Sequence, residues 1–356
     1  MPNPEQRVKA LLRLTAQQGA SDLHITVARY PTLRIDGKLV PITQEDIITP
    51  DVAQEMSYAI MNEDKKKILL EEGQADFSYN LEDKARFRVN AFFQQGYLSL
   101  AFRLVSSDIK TLEELNMPPL FYEFTEAPQG LILFVGPTGH GKSTTMAALI
   151  DHINKNQEKH ILTIEDPIEY VYKQDRCVIE QREVFQDSKN FKSALKAVFR
   201  EDANVVLIGE MRDLDTISIA LTAAETGHLI FGTLHTNDSP QAIDRIVDVF
   251  PSNQQNQVRF QLANVLLAVV SQRLLPRIGG GRVPAIEIMI KNHAVENLIR
   301  ENRPYQINNV IETSYEEGML TMDRSLSDLV KQGLVDLDVA KRYAKDINNF
   351  NDLLQR

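Results

Sequence analysis

The chain has 356 residues, more than the roughly 250–300 at which a single hydrophobic core stops growing, so we expect two domains. Hydrophobic residues make up 43% and charged residues 25%, which excludes a disordered, collagenous or low-complexity protein. Lys and Arg number 39 against 49 Asp and Glu, and the resulting formal charge of −10 disfavours a general nucleic-acid binder, although it leaves room for a local basic patch.

Cysteine content and hydropathy indicate the compartment. The single cysteine, Cys177, cannot form an internal disulfide or supply a cysteine-rich zinc site, which predicts a fold held by packing in the reducing cytoplasm. The N-terminus mixes charged and apolar residues, unlike a signal peptide, and the longest apolar stretches are too short to span a bilayer. We therefore expect contact with a membrane only through a partner protein.

The first part of the chain reads as a small α+β domain over residues 1–105. Helical spacing of apolar residues predicts a helix over residues 5–18, and residues 51–72 read as one or two charged helices. Strand patterns cover residues 24–40 and 86–104, and Asp36-Gly37 within the first of them predicts a hairpin. Residues 106–120, rich in Ser and Pro, are the expected linker.

The second part reads as an α/β domain. Four apolar strands alternate with helical stretches, which predicts a largely parallel sheet within residues 121–290. The predicted strands are Leu131 to Val135, Ile161 to Ile164, Val205 to Ile208 and Leu229 to Leu234. Gly279-Gly280-Gly281 predicts a late hairpin, and residues 291–356 look helical.

A phosphate-binding loop follows the first of these strands and opens a helix. It reads Gly136-Pro137-Thr138-Gly139-His140-Gly141-Lys142-Ser143, with Thr144 next in the chain. Backbone N–H groups in such a loop close on the α- and β-phosphates, the lysine reaches the β- and γ-phosphates, and the serine hydroxyl is offered to Mg²⁺. Nucleotide binding is the strongest prediction from the sequence.

Three carboxylates follow two of the apolar strands. Val205 to Ile208 resembles a Walker B strand, but Gly209 stands where an aspartate is usual, which leaves Glu210 as the carboxylate there. Glu165 and Asp166 end another strand in the same way. We assign Glu210 to the attacking water and Glu165 to the magnesium shell, with Asp166 as the alternative to Glu165. A helix cap or a solvated loop end is the competing interpretation of each acid.

Two histidines bracket the strand Leu229 to Leu234. Ligands in a parallel sheet sit at the carboxyl ends of the strands, so His235 is predicted to face the γ-phosphate. His228 enters the strand about six residues earlier, roughly 20 Å away along an extended chain. We predict that His235 is a phosphate sensor, whereas a structural role is the simpler interpretation of His228.

Three arginines lie on strand-like segments of the first domain. Arg86 and Arg88 are two residues apart and so share a face, and Arg103 follows on the next strand. An arginine finger can contribute roughly 10³–10⁵ in rate, and these side chains are candidates when their domain closes over the nucleotide. A solvated strand face is the alternative.

Taken in order, these blocks resemble the secretion ATPase superfamily, most closely the PilT group of type IV pilus retraction motors. The likeness covers nearly the whole chain. Its matching stretches are Ala20 to His24, Arg34 to Gly37, the phosphate-binding loop, Ile164 to Tyr170, Gln181 to Val184, Gly209 to Asp213 and Thr222 to Asn237.

The resemblance implies a PAS-like N-terminal domain, a RecA-like ATPase core, a helical C-terminal region and a hexameric ring whose domains rotate as ATP and Mg²⁺ are bound and ATP is hydrolysed. It implies pilus retraction and twitching motility, driven at the inner face of the cytoplasmic membrane through a PilC-like platform protein. The net charge, rather than the resemblance, leads us to expect no nucleic-acid partner.

For individual residues, the resemblance implies that Glu210 is the catalytic glutamate and that Glu165 lies near magnesium. It gives both His228 and His235 a functional role, as members of the family's His box. Their positions at opposite ends of one strand favour such a role for His235 only. The resemblance also makes candidate phosphate-reading residues of Arg86, Arg88 and Arg103.

Three positions depart from the family pattern. His140 replaces a serine in the phosphate-binding loop, Phe185 replaces a glycine, and Glu296 replaces an arginine in the C-terminal retraction signature. The last change reverses a charge. Because the signature is tied to retraction in the family, this change weakens the inference that the chain is a retraction motor more than the inference that it is an ATPase. An ordinary amphipathic helix is the competing interpretation of the signature segment.

Other functions stay open. Within the superfamily the alternative is an accessory or assembly ATPase of a pilus or type II secretion system, although assembly ATPases usually carry a four-cysteine zinc motif. A regulatory nucleotide switch without sustained turnover is the alternative from another class. The negative charge and the lack of a recognisable acceptor site disfavour a DNA translocase or a P-loop kinase.

Overall fold

A computed structural model describes residues 3–35, 37–81, 85–105 and 108–355. Two compact units divide the chain: Met1–Asp108 with Pro167–Val171, and Ile109–Asp166 with Tyr172–Arg356. Asp36 of the predicted hairpin and Ser106 and Ser107 of the predicted linker lie outside the described residues.

The first unit contains an antiparallel sheet with strand order β3-β2-β1-β6-β5-β4. Its strands are β1 (Asp22–Ile25), β2 (Thr32–Ile35), β3 (Lys38–Pro41), β4 (Gln74–Leu81), β5 (Ala85–Gln94) and β6 (Tyr97–Val105). Its helices are α1 (Pro4–Gln17), α2 (Pro50–Ala59) and α3 (Glu63–Glu72). Strands β2 and β3 pair antiparallel from Ile35 opposite Lys38, which confirms the predicted hairpin.

Local sequence explains where these helices begin and end. Asn3 caps α1 by accepting a hydrogen bond from the Glu5 N–H, with proline at the first helical position. Asn62 caps α3 in the same way, and Gly73 ends it in the left-handed conformation. Val8, Leu11 and Leu12 are buried at helical spacing, so α1 packs onto the sheet through one face.

The second unit is built on a sheet with strand order β13-β12-β7-β11-β10-β8-β9. Its strands are β7 (Gly130–Val135), β8 (His160–Glu165), β9 (Val178–Glu183), β10 (Val205–Ile208), β11 (Leu229–Leu234), β12 (Leu266–Pro276) and β13 (Arg282–Ile290). Each neighbouring pair is parallel except β12 and β13, which form the predicted late hairpin. The α/β class predicted from the alternating pattern is confirmed.

Helices surround this sheet and continue to the C-terminus. They are α4 (Leu120–Glu126), α5 (Lys142–Asn156), α6 (Phe191–Val198), α7 (Leu214–Glu225), α8 (Ser239–Asp248), α9 (Ser252–Val265), α10 (His293–Arg300), α11 (Ile307–Thr313), α12 (Met322–Lys331), α13 (Leu337–Lys341) and α14 (Ile347–Gln355). Short 3₁₀ helices occupy Pro304–Gln306 and Tyr315–Glu317. Within the described ranges, every helix is too short or too polar to cross a lipid bilayer.

The central strands are buried along their whole length. All residues of β7, β10 and β11 are buried, as a parallel sheet covered on both faces requires. A separate apolar cluster joins the C-terminal helices to β12 and β13, with Leu326 and Phe350 fully buried at its centre. The C-terminal helices therefore have a core of their own against the strand hairpin.

Phe185, which stands where the resembled family has glycine, lies just after β9 with a φ of 65°. This left-handed backbone costs a residue with a Cβ about 1–2 kcal/mol. The Phe185 side chain is also exposed, so no burial of the ring offsets that strain. The family's glycine suits this backbone better than the phenylalanine does.

Candidate nucleotide-binding site

The chemistry-bearing residues of the second unit collect at the carboxyl ends of its parallel strands. The phosphate-binding loop follows β7, Glu165 ends β8, Glu210 follows β10, and His235 follows β11. Register brings these ends level, because Val135 pairs with Leu234 and Ile208 pairs with Ile164. Ligands of open α/β sheets bind at this edge, and the topology places these predicted residues there.

The phosphate-binding loop leads directly into α5, which begins at Lys142. Lys142 is 7% exposed, and its Nζ donates to the carbonyl oxygens of Gly136 at 2.7 Å and Pro137 at 3.0 Å. Burial lowers the pKa of the ammonium, while the nearby Glu210 carboxylate opposes that shift. The ammonium is thus held inside its own loop, in reach of an incoming phosphate.

Ser143 and Thr144 follow in the first turn of α5. Ser143 is exposed and Thr144 is half-buried. The free N–H groups and the positive end of the helix dipole at this terminus favour an anion. This arrangement suits the phosphates of a nucleotide.

Glu210 is held by two side chains at the same oxygen. Its Oε1 lies 3.1 Å from His235 Nε2 and also accepts a hydrogen bond from Arg212 Nε. Glu210 is 21% exposed at the side chain, so a water molecule can reach its carboxylate. A carboxylate held in this way can orient an attacking water and accept its proton.

Glu165 is the buried acid of the site. It is 7% exposed, and its Oε1 accepts a hydrogen bond of 2.8 Å from Thr163 Oγ1. A Cβ added to Gly209 would lie only 3.2 Å from the Glu165 Cα. The close approach of β10 to β8 therefore favours glycine where a Walker B strand usually has aspartate.

The donor set fits Mg²⁺. This ion prefers oxygen ligands, keeps several waters, and is commonly held by one or two protein oxygens together with substrate phosphates. The Ser143 hydroxyl, at the start of α5, and the Glu165 carboxylate, at the end of β8, are oxygens of this kind. No third protein ligand is required, because phosphate oxygens and water complete the octahedron.

His228 lies at the opposite end of β11 from His235. Its Nδ1 is 3.0 Å from the Ala223 carbonyl oxygen, and its ring meets the Phe199 ring edge-to-face at 5.8 Å. The structure therefore does not bring His228 to the phosphate-binding edge of its own chain. Its catalytic role stays a prediction from the resemblance.

The candidate arginines belong to the first unit. Arg88 on β5 and Arg103 on β6 are directly opposite each other, and both are exposed. Arg103 Nε donates to Asp22 Oδ1 at 3.0 Å, while Arg86 is half-buried two residues before Arg88. Burial tends to raise the pKa of Asp22, but hydrogen bonds from Ser21 and Arg103 lower it on balance.

Sequence reasoning missed three side chains that contact the site or its loops. Arg212 bonds to Glu210, Gln272 contacts the phosphate-binding loop, and Arg273 Nη2 donates to Asn237 Oδ1 at 2.9 Å in the loop after β11. For the last two, the sequence indicates that a partner is needed but not which one. Ser271-Gln272-Arg273 interrupts the otherwise apolar run of β12, and polar residues in a buried strand need a partner.

Comparisons with known proteins support the resemblance found in the motifs. The family model described as type II/IV secretion system protein matches residues 4–342. The type IV pilus retractation ATPase PilT of Pseudomonas aeruginosa is 46% identical over 343 residues, 96% of this chain and 99% of that protein. The twitching motility protein of Neisseria gonorrhoeae is 46% identical over 340 residues, 95% of this chain and 91% of that protein.

A solved structure extends the likeness to three dimensions. The crystal structure of the pilus retraction motor PilT with bound ADP has a TM-score of 0.89 and 44% identity to this chain. It covers 97% of this chain and 99% of that one. The match spans the first unit as well as the nucleotide-binding unit.

Proposed function

Because the chain belongs to the family of type II/IV secretion system proteins, we propose that it is a motor ATPase that couples ATP hydrolysis to the retraction of a type IV pilus. One observation supports the chemistry: the phosphate-binding loop, Glu165, Glu210 and His235 all lie at the carboxyl ends of the parallel strands of one sheet. The proposed role in pilus retraction is supported by similarity to retraction motors over nearly the whole chain.

The residues act in distinct ways. Backbone N–H groups of the loop bind the phosphates, except at Pro137, which has no N–H to donate. Lys142 exchanges its contacts with the Gly136 and Pro137 carbonyl oxygens for phosphate oxygens. Ser143 and Glu165 would hold Mg²⁺, which would supply positive charge to the phosphates of a bound nucleotide. Glu210 orients the attacking water and accepts its proton, and His235 holds the Glu210 carboxylate in position.

We further propose that the protein works as a homo-hexamer. Arg86, Arg88 and Arg103 supply cationic groups to a nucleotide when their domain closes over it. The assembly acts at the inner face of the cytoplasmic membrane through a PilC-like platform protein and binds no nucleic acid. The small domain of residues 1–105 is PAS-like in this proposal.

Dilution of the purified protein tests whether turnover needs an assembled ring. We expect ATP hydrolysis per chain to rise with protein concentration and then to saturate, because a site completed between subunits is lost on dissociation. Glu210→Gln is expected to retain ATP binding and to lose turnover by about 10²–10⁴-fold. Tight ATP binding without hydrolysis at any concentration would favour a nucleotide switch instead.

Deletion in cells separates retraction from assembly. Loss of a retraction motor leaves pili extended, so we expect overpiliated cells that do not twitch. Complementation with Glu210→Gln is expected to fail, while the wild-type gene restores motility. Bald cells would contradict the retraction role and support an assembly ATPase. In a separate assay on the purified protein, DNA binding that weakens with salt would support a translocase.

A further inference from the structure

Gln272 connects β12 to two parts of the phosphate-binding segment. Its Nε2 donates to the His140 carbonyl oxygen at 2.9 Å, and its Oε1 accepts from Thr145 Oγ1 at 3.0 Å. Gln272 is 2% exposed and Thr145 is 1% exposed. A buried amide is thus satisfied at both ends by the loop and by the first turn of α5.

The orientation of this amide follows from its partners. A carbonyl oxygen can only accept a hydrogen bond, so the NH₂ group of Gln272 must face His140. Its oxygen then faces the Thr145 hydroxyl, which can donate. A flipped amide would set two acceptors against each other at His140 and leave a buried polar group unpaired, which costs about 1–3 kcal/mol.

The hydrogen bond to the His140 carbonyl orients the whole peptide unit between His140 and Gly141, including its N–H group. In a trans peptide the C=O and the following N–H point in opposite directions. Since the His140 carbonyl points at Gln272, the N–H of Gly141 points away from β12. A phosphate is bound by N–H groups of this loop, so the direction of the Gly141 N–H bears directly on ligand affinity.

Two further contacts hold the same part of the loop. The backbone N–H of Leu274 donates to His140 Nδ1 at 2.9 Å, which anchors the side chain of the residue whose carbonyl Gln272 holds. A Cβ on Gly141 would lie 2.7 Å from Gln272 Nε2, so glycine at that position allows the approach. β12 therefore lies closely against the loop.

We propose that Gln272 is a positioning residue for nucleotide binding, which sets the Gly141 N–H for the phosphates through its bonds to His140 and Thr145. The proposal rests on the proposed function and goes beyond the motif, because Gln272 lies 127 residues beyond Thr145 and outside every predicted nucleotide-binding segment. Its expected signature is weaker nucleotide binding without loss of the chemical step, since Glu210 and His235 keep their geometry.

Replacement by an apolar side chain of the same length tests this. Gln272→Met is expected to raise the Kd for a fluorescent ADP analogue and the KM for ATP about tenfold, while kcat at saturating ATP stays within twofold. The matched control is Val270→Ala, which removes buried volume from the same strand. It is expected to lower the melting temperature while leaving the ADP affinity near the wild-type value.

Thr145→Val tests the same contact from its other side, should Gln272→Met fold poorly. We expect a smaller loss of ADP affinity, and a double variant no weaker than Gln272→Met, since both changes break one shared bond. ADP affinity in Gln272→Met equal to that in Val270→Ala would overturn the proposal, as would a fall in kcat with unchanged affinity. A wild-type protein that binds no ADP would instead refute the proposed function.

Discussion

His235 Nε2 lies 3.1 Å from Glu210 Oε1, although the two residues follow different strands. The contact exists because β10 and β11 are parallel and in register, with Ile208 opposite Gly232. Thr233 Oγ1 on β11 also donates to the Gly209 carbonyl at 2.5 Å, which ties the two strand ends together. His235 is thus placed to hold the carboxylate assigned to the attacking water.

Removing this histidine should slow turnover more than it weakens binding. We expect His235→Ala to lower kcat about 10- to 100-fold, because a Glu210 carboxylate held by Arg212 alone orients water less well. ADP affinity should stay within about threefold of wild type. Steady-state hydrolysis and ADP titration measure the two effects, and His293→Ala, at a fully exposed position, is the control. A tenfold loss of ADP affinity with normal kcat would contradict the assignment.

An ion pair between a partly exposed lysine and a buried carboxylate links the segment before α14 to the sheet. Lys345 Nζ lies 2.7 Å from Glu287 Oε2, and Glu287 is 3% exposed at its side chain. Lys345→Met should destabilise the fold by about 3 kcal/mol, since it leaves a buried carboxylate without its cation. Urea unfolding followed by circular dichroism measures this, because the chain contains no tryptophan. Adding Glu287→Gln to Lys345→Met should recover much of the loss, and an additive double variant would contradict the pairing.

The sequence predicts the local parts of this molecule well. The phosphate-binding loop has a fixed spacing, and β7, β8, β10 and β11 are short apolar runs, so each can be identified from adjacent residues. The carboxyl-end rule then brings Glu165, Glu210 and His235 together without a structure. The hairpin of β2 and β3 follows in the same way from local turn chemistry.

Contacts between distant segments could not be predicted. Nothing near Gln272 in the chain indicates that it bonds to His140, because that contact depends on β12 lying beside β7 in the sheet order. β4 and β9 were missed for different reasons. β4 alternates polar and apolar residues, a period-2 pattern that indicates a strand and was overlooked. β9 is an edge strand of mixed polar composition without that pattern, and its pairing with β8 makes it a strand.

His140 should make stability depend on pH. Burial lowers the pKa of its imidazole below the ordinary 6.5, with further lowering by Arg273, Lys142 and Arg282. The unfolded chain then binds the proton more readily, so the stabilisation is complete above pH 6.5 and is lost as pH falls towards the lowered pKa. Protonation of Nδ1 would also remove the acceptor for the Leu274 N–H.

The control for His140 is His140→Asn, whose Oδ1 accepts that N–H at every pH. We expect the melting temperature of the wild-type protein to fall more steeply than that of His140→Asn between about pH 7 and pH 5. Scanning calorimetry at half-unit pH steps measures the difference. Parallel curves for the two proteins would show that His140 is not the group that titrates.

Glu296 sits among cations rather than in isolation. Its Oε1 lies 3.1 Å from Lys291 Nζ and its Oε2 lies 3.7 Å from Arg300 Nη2. The hydrogen bond from Lys291 is the main cause that lowers the pKa of Glu296 below its ordinary value. Lys291 and Arg300 also bond to Asn264 of α9, so this cluster attaches α10 to α9.

Restoring the arginine of the family signature should therefore harm this chain. Glu296→Arg adds a cation beside Lys291 and Arg300, and we expect a loss of about 1–2 kcal/mol in urea unfolding at pH 7. Glu296→Gln should lose less. The wild-type advantage over Glu296→Gln should begin to shrink as pH falls below the ordinary pKa of 4.5, and it should vanish only below the lowered pKa, where the folded carboxylate is protonated. A more stable Glu296→Arg variant would refute this account of the charge reversal.

Mixing two inactive variants tests whether Arg88 acts on a nucleotide bound by another subunit. Arg88 is exposed on β5, so Arg88→Ala should leave unfolding within about 0.5 kcal/mol of wild type while lowering the hydrolysis rate at least tenfold. Arg29→Ala, at another exposed arginine of the first unit, is the control and should keep its rate. Glu210→Gln is inactive for a different reason, since it keeps Arg88 but lacks the carboxylate that accepts the proton of the attacking water. In a mixed ring, a subunit with intact Glu210 can then receive Arg88 from a Glu210→Gln neighbour, so the mixture should hydrolyse ATP faster than either variant alone. A mixture no faster than the sum of its parts would mean that Arg88 serves the nucleotide of its own chain or none.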